Sequence, residues 1–335
     1  MNYKSIPKLT ITHQSVLSTI KTKQKMLKNK IGYLQISFAW LFALIVGAFI
    51  LFLAIFISVK VIGIGQQTTG VETATQIGTL LNPLETGFES LTSVPMNTQT
   101  ETRIYSECDS AGLGRQIISV SQKSFGKWAE ISRPTSFPNK YLFSDSYVEG
   151  KKFYMLSAGF NFPFKVGNVI VLTSSLNNYC FVDAPNSIEL EISGLQDNIE
   201  ARNCSAGSIK ICFKTSRNCD IKVEYDNERN GFVEKNGKRI YFIGNALMYG
   251  AIFSEPDIYE CQVKRLMART AELALIYSDK ANYVAQKGCN SNINTELGIL
   301  YSLTKNLDES RGVVFNLYPV VKEINEKNQG VCKLW

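Results

Sequence analysis

Eight cysteines are the residues in this chain best suited to covalent chemistry: Cys108, Cys180, Cys204, Cys212, Cys219, Cys261, Cys289 and Cys332. Their even number, and their position beyond a long apolar stretch, favour a disulfide framework in an oxidising compartment over reduced thiols. Cys212 and Cys219 flank Phe213–Asn218, and a hairpin there would set them opposite each other within disulfide reach. Cys289 and Cys332 would close the same end of the first and third helices of an up-down-up arrangement. Spacing assigns no partners to Cys108, Cys180, Cys204 and Cys261. Cys204, Cys212 and Cys219 are separated by seven and six residues and no C-x-x-C occurs, so neither a zinc knuckle nor a redox-active pair is expected.

Other chemistries find little support. The one histidine, His13, precedes the apolar stretch, so the region beyond it cannot assemble Ser-His-Asp, Cys-His or H-E-x-x-H sites. Ser124-Phe125-Gly126-Lys127 matches S-x-x-K and Tyr225-Asp226-Asn227 imitates the second motif of serine acyl-enzymes. No K-T-G follows, and the segment is expected to be a surface turn before Trp128. Gly63-Ile64-Gly65 with Gly70 follows an apolar helix rather than a strand and is no dinucleotide loop. Glu189 and Glu191 alternate with Ile188, Leu190 and Ile192, the pattern of a strand with one wet face. A carboxylate-dependent hydrolase would need acids converging from elsewhere. The aromatics Phe153, Tyr154, Phe160, Phe162 and Phe164 are expected in the core rather than in a groove. Asn203-Cys204-Ser205 is a glycosylation sequon. No cofactor, metal or small-molecule substrate is expected.

The elements that carry these residues begin with Ile31–Val59, a run without a charged side chain. It is long enough to cross a bilayer and lacks the polar face of a soluble helix. Its apolar part is too long for a cleaved secretory signal. Seven lysines and no acid precede it, and only Lys60 follows closely, which predicts a cytoplasmic tail (1–30) and an outer C-terminal region. Removing those seven from 36 basic residues leaves 29, against 29 acids, so the net charge of +7 belongs to the tail and nucleic acid is not an expected partner. Leu9, His13, Leu17, Ile20, Gln24 and Leu27 recur at helical spacing, but setting topology is reason enough for the tail lysines.

Residues 60–102, rich in Gly, Thr, Ser and Gln, read as a stalk with a helical start through Thr73–Leu81. Period-two alternation over Ile209–Phe213 and Ile221–Tyr225 marks 103–244 as β-rich. Asn236-Gly237, between two apolar runs, predicts a hairpin. From Asn245 to the end the period becomes helical. Tyr259, Val263, Leu266, Thr270, Leu273, Tyr277, Ala281 and Val284 share a face, with Ser254 and Asp257 as a capping box, Pro256 in the first turn and Gly288 as the stop. Further helices are expected over Ile293–Leu307 and over Val313–Lys327, the latter kinked or split at Pro319. The predicted class is α+β: a transmembrane helix, a mainly antiparallel β region and a C-terminal helical hairpin or bundle.

Gln35-Ile36-Ser37, opening the apolar stretch after a lysine-rich leader, resembles the processing signal of archaeal type IV pilins. That resemblance implies cleavage before Gln35 and a helix that packs into a filament. Leu34 stands where the family has glycine or alanine, and Ala39 where it has the glutamate that docks subunits. Glu101–Tyr105, Leu247–Tyr249 and Ile258–Gln262 resemble uncharacterised membrane-anchored proteins of small-genome archaea, which implies an export-facing archaeal setting and no particular activity. The expected protein is a single-pass plasma-membrane protein with a disulfide-stabilised outer domain. Its expected partners are the lipid bilayer and another envelope or surface protein.

Overall fold

The computed structural model describes residues 38–86, 91–213, 218–226, 228–329 and 332–335. The basic tail, His13 and the Leu34–Gln35 bond lie outside them. Met1–Val59 and Lys60–Trp335 form two compact units. The fold class is α+β.

Helix α1 is Phe38–Thr86. Its segment Phe38–Val61, 24 residues, is the one helical stretch among the described residues long and apolar enough to cross a membrane. At 1.5 Å per residue it is about 36 Å long, against a hydrocarbon core of about 30 Å. Within the second unit, α1 carries Gly70, Ala74, Ile77, Gly78 and Leu81 on one buried face. A side chain at Gly78 would overlap the Phe137 ring, so the small residues are what allow the helix to lie close to the sheet. The segment expected as a stalk is therefore helix and strand instead. Gly70 and Gly78 serve close packing, and Thr92, Thr98, Thr100 and Thr102 lie in β1.

The first sheet comprises β1 (Thr92–Asp109), β2 (Arg115–Ser124), β3 (Lys127–Trp128), β4 (Thr135–Phe137), β5 (Tyr141–Phe143), β6 (Tyr147–Asn161) and β7 (Lys165–Ser174). Its order is β3-β2-β1-β6-β7-β5, with β4 also beside β2. Pairing is antiparallel except for β5 with β7. The β1–β6 register shifts between Asn97 and Thr102, an irregularity of the kind that bends a strand pair. The second sheet is β13-β12-β11-β10-β8-β9, from β8 (Tyr179–Val182), β9 (Ile199–Ala201), β10 (Ile209–Cys212), β11 (Ile221–Tyr225), β12 (Asn230–Lys235) and β13 (Lys238–Ile243). Asn236 and Gly237 turn the β12–β13 hairpin at φ +52° and +72°, as the sequence predicts.

The helices are α2 (Asn186–Ile192), α3 (Gly244–Phe253), α4 (Pro256–Gln286), α5 (Asn294–Lys305), α6 (Ser310–Gly312) and α7 (Tyr318–Lys327), with a π-helical turn at Val313–Leu317. Eight of the ten α3 residues are buried, which makes it a core helix apolar on all sides. One core cluster joins the second sheet, α3, α4 and the C-terminal helices. A smaller one lies between α1 and the first sheet.

Three local expectations need correction. Ile188–Ile192 is helical, not a strand: Ile188 and Ile192 are buried four residues apart while Leu190 is 79% exposed, and Pro185 precedes the first turn. Ser254 and Asp257 form no capping box; Ser254 Oγ donates back to Gly250 O at 2.6 Å, closing the end of α3, and Glu255 occupies the cap of α4. Strands β10 and β11 pair in parallel rather than as a hairpin. The third expected helix is split, passing from π to α geometry at Tyr318, beside Pro319.

All eight cysteines are paired: Cys108–Cys261, Cys180–Cys204, Cys212–Cys219 and Cys289–Cys332. The last two are the pairs expected from position, although parallel strands, not a hairpin, bring Cys212 to Cys219. Beside Cys261, Gln262 Nε2 donates to Gln116 Oε1 at 2.6 Å and to Leu142 O at 3.0 Å. Arg265 Nη1 donates to Lys140 O and to Gln262 Oε1, both at 2.7 Å. Arg265 is fully buried, which pulls its guanidinium down to about 10.

Loop-closure entropy separates the bridges. Cys108–Cys261 closes 153 residues and Cys212–Cys219 only seven, so their removal costs roughly 5 and roughly 2 kcal/mol on the chain-entropy scale. In urea unfolding of the detergent-solubilised protein, the Cys108→Ser/Cys261→Ser double variant is expected to lose clearly more stability than Cys212→Ser/Cys219→Ser. Equal losses would contradict this ordering.

Candidate functional site

Two surface regions gather most of the distinctive side chains, and α4 touches the elements of both. The first surrounds Phe315, on the π-helical turn. Phe315 is 57% exposed and meets Tyr241 of β13 edge-on at a centroid distance of 5.6 Å. Tyr241 meets Phe232 of β12 at 5.8 Å, and the Arg239 guanidinium lies 4.0 Å from the Phe232 ring. On one side of Phe315 is a cleft of about 550 Å³ lined by Ser302, Asn306, Asp308, Glu309 and Arg311, among others. On the other is a cleft of about 300 Å³ reached by Tyr225, Phe232, Tyr241, Glu224, Asp226 and Asn230. Asn230 is 3% exposed and its Oδ1 has no hydrogen-bond partner.

Local structure fixes these residues. The Asn-Gly turn holds Phe232 opposite Tyr241. Ser310 Oγ accepts from the Tyr241 amide at 3.0 Å and donates to Glu260 Oε1 at 2.6 Å, while the Ser310 amide donates to Glu260 Oε2 at 2.7 Å. Burial raises the Glu260 carboxyl above the usual range, and the bonds from Ser310 oppose that rise. Tyr259 OH donates to Tyr241 O at 2.6 Å, and burial pushes its phenol well up. A π turn offsets the side-chain register, and such turns often mark functional positions. Here it presents Phe315 outward while Val313 and Leu317 stay buried.

The second region is a cleft of about 380 Å³ lined by Asp145, Tyr147, Glu149, Ser174, Asn177 and Glu255, among others. Glu149 is engaged by Arg103 Nε at 2.7 Å, and Ser146 Oγ donates to Glu255 Oε1 at 3.0 Å. Burial raises Asp145, against the pull of Lys235. Lys235 Nζ donates to Ile252 O at 3.0 Å and to Ser254 O, placing a cation at the C-terminal end of α3, where the helix dipole favours it. Burial takes Lys235 down to about 8, and the Asp145 and Glu255 carboxylates pull it back. Tyr179 is pushed up to about 12, chiefly by burial and then by Asp145. Perturbed groups of this kind gather at functional sites and equally in structural networks. The bonds of Lys235 to two helix-end carbonyls give this one a structural task.

The other residues singled out in the sequence fall elsewhere. Ser124 and Lys127 are cross-strand neighbours at the open tip of the β2–β3 hairpin. Glu189 pairs with Arg202, and Glu191 accepts from Asn245 Nδ2 and Tyr249 OH, both at 2.8 Å. Phe153, Tyr154, Phe160, Phe162 and Phe164 are buried. Asn203 is exposed, and the cysteine of its sequon is bonded to Cys180. Sequence reasoning missed Phe315, Tyr241, Phe232 and Lys235. A lysine ending a strand just before Asn-Gly reads as solvated, and Phe315 reads as one more apolar residue of a helix. Set beside known protein families, curated proteins and solved structures, the chain matches none.

Lys235 gives a pH signature. Its folded value, about 8, lies below its ordinary value of 10.5. The unfolded chain therefore holds the proton more tightly between those values, and this group's contribution to stability rises with pH across that window. Above pH 10 the buried Tyr179, Tyr249 and Tyr259, raised by burial, oppose it, because the unfolded chain ionises first. The stability difference between wild type and Lys235→Met, measured by urea unfolding, is expected to shift towards wild type by about 2 kcal/mol from pH 8 to pH 10. A flat difference would contradict the assignment.

Proposed function

We propose that the protein is a non-enzymatic, single-pass membrane protein whose tail is cytoplasmic and whose disulfide-locked domain stands outside, binding another envelope or surface protein. The topology is supported by the apolar helix with seven lysines before it and by the four bridges after it. Lysine asymmetry about a single span sets orientation, and a set of paired cysteines persists in an oxidising compartment.

The observation that carries the binding role is the Phe315 face. Exposed aromatics interleaved with arginines are the composition of interface hot spots. Phe315 is the exposed member, and half-buried Tyr241 and Phe232 with Arg239 and Arg311 complete such a set on the β12–β13 hairpin and the π-helical turn. Glu224, Asp226, Asp308 and Glu309 at its margins suit a partner segment carrying both apolar and basic groups.

A second reading, a pilin-like subunit, is favoured by one observation. Helix α1 carries both the apolar run and a buried face, Ala74, Ile77 and Leu81, against the first sheet. Mature protein beginning at Gln35 would support that reading, and an intact N-terminus would remove it.

Topology and binding are tested in the same cells. With Ser5→Cys and Leu190→Cys as single added thiols, a membrane-impermeant maleimide is expected to label position 190 on intact cells and position 5 only after permeabilisation. The reverse pattern would overturn the orientation. A photoreactive phenylalanine at 315 is expected to give a discrete protein adduct that the same group at position 190 does not. No adduct, or the same adducts from both positions, would overturn the binding face.

A further inference from the structure

Two hairpins in this chain turn through nearly the same backbone geometry with different residues. At the β12–β13 tip, Asn236 and Gly237 take φ +52° and +72°; at the β2–β3 tip, Phe125 and Gly126 take +48° and +77°. Asparagine tolerates the left-handed region, whereas a bulky aromatic residue there is an outlier. Phe125 gains nothing from the fold in return, since it is 100% exposed. Lys123 and Lys127 flank it, and Lys123 is paired with the cross-strand Trp128. The Trp128 ring carries the Arg103 guanidinium at 4.0 Å. Gln122 lies opposite Thr102, which lies opposite Gly150, so Lys151 and the β1 irregularity share that end of the sheet.

The direction in which this tip points follows from the packing of α1 beyond Lys60. A Cβ on Gly70 would meet Ser132 Cβ at 2.8 Å and Val120 O at 3.4 Å, while Gly78 abuts the ring of Phe137, the register partner of Gln116. From Gly70 to Gly78 the helix rises about 12 Å, and from Val120 back to Gln116 the strand covers about 13 Å. Helix and strand therefore run antiparallel. Extending β2 from Val120 to Phe125 adds about 17 Å, which is about eleven helical residues back from Gly70. The tip comes level with Lys60, the first charge after the apolar run.

We propose that the β2–β3 hairpin tip is a second, interfacial membrane anchor, in which Phe125 inserts among lipid headgroups while the exposed Lys127 and Lys151 face anionic phosphates, Lys123 being held by Glu101 at 2.6 Å. An apolar residue buried at the acyl boundary with lysines around it is the chemistry of peripheral membrane contact. The tip contact rests on the reading of α1 as a retained anchor, and the test separates the two.

All eight native cysteines are paired, so an added cysteine is a unique labelling site. Full-length Phe125→Cys, Lys60→Cys and Leu190→Cys variants, each carrying an environment-sensitive fluorophore, are reconstituted in phosphatidylcholine–phosphatidylglycerol vesicles with and without a headgroup-region nitroxide lipid. The nitroxide lipid is expected to quench positions 60 and 125 by about twofold or more and to leave position 190 unchanged. Quenching at 60 without quenching at 125 would overturn the tip contact and leave the anchor standing. Quenching at neither would remove the anchor and the tip contact together. A label at 125 shielded from aqueous iodide yet unquenched by the lipid would show that protein, in these vesicles a second copy of the chain, covers the tip and would overturn the lipid assignment. Phe125→Asn is expected to raise the melting temperature in detergent; a lower value would show that the fold itself requires Phe125 and would count against the proposal.

Discussion

Helix α4 meets the first sheet where Cys261 bonds Cys108, and the next residue, Gln262, donates to Gln116, the cross-strand partner of Cys108. A covalent tie and a buried amide pair thus act on the same two strands within one helical turn. Arg265, one turn on, adds bonds to Lys140 O and to Gln262 itself. A fully buried guanidinium is expensive to desolvate, and this one retains Nε and Nη2 without partners. The two bonds from Nη1 and the Tyr141 ring, 4.9 Å from the guanidinium carbon, offset part of that cost. Gly114, at φ +62°, is part of the same constraint, since a Cβ there would come within 3.0 Å of the Arg265 side chain.

The first turns of α4, just ahead of that tie, also reach both cleft regions. Glu255, at its cap, borders the acidic cleft. Tyr259 and Glu260 reach Tyr241 O and Ser310, and so set the hairpin and the π turn that carry the Phe315 face. The stable part of the domain and its candidate binding surface are thereby mechanically continuous. Phe125 lies outside this system. Its tip depends on β2 and on the close approach of α1, which the small residues Gly70, Ala74 and Gly78 allow.

Period and turn chemistry made much of the fold readable. Asn236-Gly237 announced its hairpin, and the apolar run and the stripe on α4 announced their helices. Residues 188–192 misled because alternating Ile and Glu fits a strand, while the deciding fact, burial of Ile188 and Ile192 alone, depends on neighbours distant in sequence. Gln262 and Arg265 sit within the buried stripe of α4, where polar residues are expected to face solvent. Only their partners 120 or more residues away explain them. The disulfides divide in the same manner: Cys212–Cys219 and Cys289–Cys332 join ends of neighbouring elements, whereas Cys108–Cys261 requires the tertiary fold. Of the candidate sites, the S-x-x-K turn was legible as a turn, and the Phe315 face was not legible, because a π turn leaves no pattern in a sequence.

The central claim, a domain locked by four bridges in an oxidising compartment, is tested most directly by a non-reduced peptide map of the protein extracted from its native membrane with free thiols blocked at lysis. The expected result is linked peptides joining Cys108 to Cys261, Cys180 to Cys204, Cys212 to Cys219 and Cys289 to Cys332, with no blocked thiol. Blocked thiols at Cys108 and Cys261, or either of them linked elsewhere, would contradict it.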